Sequence, residues 1–134
     1  MRIVIDTNVL ISGIFWTGTP CQVLEAWASG AFDLCASAEI MEEYFEVLDR
    51  LSAKLGREDL AGRWKTYLFE HIELVGPDCR YTDCRDPDDA KFVECALTAD
   101  AGFIVSGDDD LLTLGHVGET GIITPAALLK SIKP

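Results

Sequence analysis

Short apolar runs that do not alternate with polar residues, each followed by a stretch of helical period, leave this chain very few architectures. Consecutive residues of a strand point to opposite faces, so a run that is apolar throughout needs cover on both sides. Ile3-Val4-Ile5, after Arg2, is such a run and stops abruptly at Asp6; Phe32 to Ala36, Phe103 to Ser106 and Gly121 to Ile123 are further short strands, and Ile72 to Val75 can form another. Between them lie helices. Thr7 to Trp16 begins with cap-capable residues and turns apolar. Thr19-Pro20 places a cap before a proline at the first helical position, and Val23, Leu24 and Trp27 carry that helix to Gly30. Ser37 caps a long helix to about Ser52 on the period of Ile40, Tyr44, Val47, Leu48 and Leu51. Arg57 to His71 is helical, Cys79 to Arg85 is a loop, and Asp86-Pro87 opens a helix to about Ala101 that Gly102 closes. Asp108 to Leu114 reads as one or two helical turns, and Thr124-Pro125 caps a final helix to Lys133. No hairpin dipeptide separates the strands, which predicts an α/β fold: a three-layer α/β/α sandwich around a mainly parallel sheet.

A chain of 134 residues that is 49% apolar buries enough surface for one domain over 1–134, without linker or repeat, and disorder is excluded. Charge narrows the function. Lys plus Arg number 11 against 23 Asp plus Glu, a net charge of −12, so the surface as a whole does not attract polyanions and any nucleic-acid contact must be local. After Met1-Arg2 only three apolar residues precede Asp6, too few for a signal peptide, and no apolar run reaches the ~18 residues of a membrane span. The 5 cysteines, odd in number and without a C-x-x-C, suit buried thiols in a reducing cytoplasm, and with only His71 and His116 as partners a structural zinc site is not expected.

The acids are placed suggestively. Sheets of this kind bind ligands at the carboxyl ends of their strands, and Asp6 and Asp108 follow two of the predicted strands. A capping role would explain either one alone. Asp89 stands 3, 4, 7 and 8 positions before Phe92, Val93, Ala96 and Leu97, so it shares their inward stripe and needs a cation, hydrogen bonds or a raised pKa. On the Ser37 helix, Glu43 borders the buried side, whereas Glu42 and Glu46 point further toward solvent. Four carboxylates converging at ~5 Å would repel by about 3 kcal/mol per pair at an effective dielectric of 20. A hard divalent ion, Mg²⁺ or Mn²⁺, resolves that repulsion with oxygen ligands alone.

The segments IDTNVLISGIF, SAEIMEEYFEVLDR, DPDDAKFVECALTADAGFIVSGDDDLL and ITPAALL resemble the PIN-domain ribonucleases, in particular the small VapC-like toxins of toxin–antitoxin pairs. By that resemblance Asp6, Glu43, Asp89 and Asp108 are the catalytic and metal-binding acids. Thr7, Asn8, Asp86, Ser106 and Asp110 support them. The resemblance implies a Mg²⁺- or Mn²⁺-dependent endoribonuclease that leaves 5′-phosphate and 3′-hydroxyl ends, blocked by a cognate antitoxin through an arginine that reaches the acids. Glu43 either binds a metal or orients the attacking water.

Other readings compete. A Mg²⁺-dependent phosphatase of the haloacid-dehalogenase type also begins with an aspartate after its first strand, but expects a second acid where this chain has Asn8. A non-catalytic acidic-pocket module of the response-regulator kind needs a phosphoacceptor Asp after a central strand and a late Lys, and neither Val75-Gly76 nor Ile123-Thr124 offers one. A PIN fold kept only as a scaffold would not require all four acids. Arg50, Lys54, Arg57, Arg63 and Lys65 on the middle helices form either a solvated face or a patch facing RNA or a partner. Core packing explains most of Phe15, Trp16, Trp27, Trp64, Tyr67 and Phe69, and some surplus suits a homodimer seam or a groove for an antitoxin helix.

Overall fold

The computed structural model describes residues 1–132. Strands β1 (Arg2–Ile5), β2 (Asp33–Ala36), β3 (Glu73–Leu74), β4 (Phe103–Val105), β5 (His116–Val117) and β6 (Thr120–Ile123) form one sheet in the order β3-β2-β1-β4-β6-β5. Helices α1 (Thr7–Phe15), α2 (Thr19–Ala28), α3 (Ala38–Leu55), α4 (Glu58–His71), α5 (Ala90–Ala99), α6 (Asp109–Leu112) and α7 (Pro125–Ile132) connect and cover it. Every pairing is parallel except β5 with β6. Ile3, Val4 and Ile5 are all fully buried although they alternate in direction, so both faces of the sheet are covered and the fold is the expected three-layer sandwich.

The order places β1 between β2 and β4, the point where successive connections leave in opposite directions. Open parallel sheets have their ligand crevice at the carboxyl ends of the strands at such a point. Helix α5 packs on β1, β2 and β4, and α3 packs on α1 and α5, which brings three helices to that end of the sheet. Inside, the Tyr44 hydroxyl of α3 donates to the Ile5 carbonyl, fixing α3 against the last residue of β1.

Local departures from the sequence reading have physical causes. The hairpin His116–Val117 to Thr120–Ile123 was not expected from the sequence; it turns on the two-residue loop Gly118-Glu119, where Gly118 takes φ 57°, a conformation that glycine adopts without strain. Asp86-Pro87 opens a 3-10 turn, Pro87–Asp89, before α5 proper. That helix ends not at Gly102 but at Asp100, which adopts the left-handed conformation (φ 55°) tolerated by short polar side chains. Helix α3 runs past Ser52 to Leu55 because Gly56 supplies the left-handed cap (φ 65°). Gly18, not Thr19, caps α2, and α6 is a single turn. The expected end of the last helix at Lys133 lies outside the described residues.

Gly13 marks the closest approach of α1 and α2. A Cβ there would lie 2.7 Å from the Pro20 carbonyl oxygen and 2.7 Å from Leu24 Cδ1, and the carbonyl cannot move without the start of α2. Gly13→Ala should therefore destabilise the chain by about 1–3 kcal/mol, against the usual helical advantage of alanine. A thermal melt checks it; an unchanged or raised Tm would contradict this packing.

Candidate active site

β1 and β4 are in parallel register, with Ile5 opposite Val105, so Asp6 and Ser106 leave neighbouring strands side by side. The Asp6 amide donates to the Val105 carbonyl at 3.0 Å. Asp6 is 5% exposed; its Oδ1 accepts from the Val9 amide at 2.9 Å, capping α1, and its Oδ2 accepts from the Ser106 hydroxyl. Ser106 Oγ in turn accepts from the Asp108 amide at 2.9 Å, so one serine spans the two acids. Asp108 caps α6 through the Asp110 amide at 3.2 Å. Capping thus operates at both strand ends, and it leaves further carboxylate lone pairs facing the site.

Asp89 approaches from the 3-10 turn that Asp86 caps through the Asp88 amide at 3.0 Å. The inward stripe holds: Asp89 is 9% exposed, and its Oδ2 is the buried side-chain oxygen or nitrogen without a hydrogen-bond partner among the described residues. Oxygen atoms of Asp89, Asp108 and Asp110 lie within 4.8 Å of one another. Burial, followed by the charge of Asp108 and a hydrogen bond with it, pushes Asp89 up to about 7. Burial also raises Asp6, with Asp108 adding to the shift against the hydrogen bonds from Ser106 and Val9.

Glu43 has different company. Lys91 Nζ lies 2.9 Å from its Oε1, and the Thr7 hydroxyl donates to its Oε2. Sequence reasoning missed Lys91, yet a signal was there: it is the only Lys or Arg between Arg85 and Lys130, beside the densest run of acids in the chain.

These groups share a cavity of about 370 Å³ lined by Asp6, Thr7, Asn8, Glu43, Asp86, Asp88, Asp89 and Asp108, with Glu46, Val47, Arg50 and Phe92 completing it. All four expected acids therefore meet at one end of the sheet, but not as equals. Asp89 and Asp108 belong to the tight carboxylate group together with Asp110, which the sequence reading treated as a helper. Asp6 and Glu43 line the same hollow while engaged with Ser106 and Lys91. Asn8 and Asp86 are on the rim, and both are exposed. Of the basic residues on the middle helices only Arg50 borders the cavity. Arg50 lies 3.7 Å from Glu46, Arg57 and Arg63 both lie beside Asp59, and Lys65 is 2.8 Å from Asp49, so much of that patch is neutralised locally.

An all-oxygen donor set with a buried, unpartnered carboxylate oxygen fits a hard divalent cation. Among the described residues the one ion pair to the Asp89, Asp108 and Asp110 group is that of Arg85, which is exposed, with Asp110 at 3.6 Å.

The family model described as PIN domain matches residues 2–110, and the chain belongs to that family. An uncharacterized protein of Methanocaldococcus jannaschii, MJ1680, is 32% identical over 117 residues, covering 85% of this chain and 75% of its own. In structure the chain is similar to a chain of VapBC2 from Rickettsia felis, solved bound to a DNA fragment from its promoter, with a TM-score of 0.64 over 91% of this chain and 97% of that one. The identity there is 14%, so the likeness is one of fold.

An acid whose pKa is higher in the folded chain than in the unfolded one binds more protons when folded, so the stability it contributes is present below about pH 4 and is lost as the pH rises through the folded value. With Asp89 raised to about 7 and Asp6 also raised, the Tm of the metal-free chain should fall from mildly acid pH to above neutrality. Asp89→Asn should flatten the fall and melt higher than the parent at alkaline pH. Parallel curves for the two proteins would contradict the strained carboxylate.

Proposed function

We propose that this PIN-domain protein is a Mg²⁺- or Mn²⁺-dependent endoribonuclease and the toxin of a toxin–antitoxin pair. The observation that carries the reading is the buried, unpartnered Oδ2 of Asp89 beside Asp108 and Asp110, at the carboxyl ends of β1 and β4. Asp89, Asp108 and Asp110 would hold the cation, with Asp6 joining directly or through water. A divalent ion held by these residues would offset the carboxylate repulsion and would supply Lewis-acid chemistry for hydrolysis of a phosphodiester.

The chain's own residues do the positioning. Ser106 keeps the Asp6 and Asp108 segments at fixed separation, and the caps on α1 and α6 hold both backbones. Glu43 is available to accept a proton from, or orient, a water in the cavity. Arg50 on the rim is the cationic group placed to meet a neighbouring phosphate. With Asp86, Asp88 and Asp109 adding negative charge around the opening, RNA should bind with modest salt dependence.

Partners follow from the apolar surface. Phe69 is 79% and Leu74 67% exposed beside a hollow formed with Met41, Phe45 and Ile72, a surface suited to the apolar face of an antitoxin helix. The hollow of Ala28, Leu60, Trp64 and Tyr67 between α2 and α4 suits a homodimer. No helix among the described residues is long and apolar enough to cross a membrane, and all 5 cysteines are free thiols, which fits a reducing cytoplasm.

Cleavage of an RNA panel with and without Mn²⁺, with the ends mapped, tests the reading: metal-dependent internal cuts bearing 5′-phosphates are expected. Asp89→Asn and Asp6→Asn should each lower the rate by about a hundredfold or more, since even partners of metal ligands cost 10–100-fold. Circular dichroism should show the fold intact. Undiminished cleavage in either variant would remove that acid from the mechanism, and release of phosphate from small monoesters alone would replace the nuclease by a phosphatase.

A further inference from the structure

Lys91 is the one lysine buried among the described residues, at 8% exposure. Its Nζ donates to the Asp88 carbonyl, lies 2.9 Å from Glu43 Oε1 and sits 5.1 Å from the centroid of the Phe92 ring. An ammonium removed from water is tolerated only where such acceptors surround it. The same contact changes what Glu43 can do. One of its oxygens is bound by Lys91 and the other by Thr7, and the tight carboxylate group of Asp89, Asp108 and Asp110 forms without it. Thr7 and Lys91 come from α1 and α5, both packed against α3, so Glu43 is gripped from two elements at once.

Resting on the metal-dependent reading above, we infer that Lys91 is a positioning residue: with Thr7 it holds Glu43 out of direct metal coordination, so that the site takes one divalent ion rather than two. Lys91 already supplies, next to Glu43, the positive charge that a second ion would have to bring. Each Glu43 oxygen keeps a lone pair beyond these bonds, and it is through these that Glu43 meets water in the cavity. The Lys91–Glu43 pair is neutral as a unit. Removing both partners should therefore disturb ion binding far less than removing one.

Titration of the full chain with Mn²⁺, followed by calorimetry and by the electron-paramagnetic signal of free Mn²⁺, tests this without RNA or activity. The parent should bind one ion. Lys91→Met should free Glu43 and yield either a second bound ion or about tenfold tighter binding, because an unpaired carboxylate now faces the site. The double variant Lys91→Met/Glu43→Gln should return to one ion, with a Kd within about threefold of the parent. A purely structural role for Lys91 would not be reversed by changing Glu43. Two ions on the parent, no change in Lys91→Met, or loss of binding in the double variant as complete as in Asp89→Asn would each overturn the inference. Should Lys91→Met fail to fold, Glu43→Gln alone decides: one ion still bound supports the clamp, and abolished binding overturns it. A parent chain that binds no Mn²⁺ would overturn the metal-dependent reading itself, and this inference with it; two ions, or binding lost with Glu43, would overturn only the inference.

Discussion

Repulsion among carboxylates crowded at one end of a parallel sheet is the constraint around which this molecule is organised. Asp6, Asp89 and Asp108 sit in one hollow with Asp110 close to the last two, and two of the four are buried. Nothing in their own chemistry keeps like charges together. They stay because each is fixed by backbone that has other reasons to be where it is: the ends of β1 and β4, and a proline-led 3-10 turn. The unfavourable energy appears as the raised pKa values of Asp6 and Asp89, both caused first by burial. Carboxyl groups raised by burial and by one another in a shared cavity are the mark of a candidate functional site.

Most of these acids also serve the fold. Asp6 caps α1, Asp86 caps the 3-10 turn and Asp108 caps α6, so backbone amides hold one lone pair while others remain for the site. Asp89 is different: it caps nothing through its side chain, and its buried oxygen has no partner. The two behaviours separate acids that structure would retain without any ligand from one that structure alone does not explain. Glu43 is a third case, neutralised from within by Lys91.

Much of the architecture was legible because its signals are local. Short, largely apolar runs marked β1, β2, β4 and β6, and Ser37 and Thr124-Pro125 mark helix starts by chemistry that acts within a few residues. The hairpin of β5 and β6 was not legible, because β5 is only 2 residues long and too short to show an alternating pattern. Asp100 as a helix terminator was hidden for a similar reason, since aspartate adopts the left-handed conformation only sometimes.

At the site, the inward direction of Asp89 could be read from its spacing to Phe92, Val93, Ala96 and Leu97, because one helix face is a property of one segment. Partnerships were another matter. Ser106 joining Asp6 to Asp108, Asp110 drawing level with Asp89, and Lys91 reaching Glu43 across 48 residues of sequence all depend on how β1, β4, α3 and α5 converge. The sequence by itself determined the sandwich, some of the helix caps and which acids could face inward, since periodicity and capping operate over a turn or two of chain. Only the tertiary structure decided which of those acids crowd together and which is neutralised by a lysine, because distances between side chains on separate elements exist only once the sheet has brought those elements to the same edge.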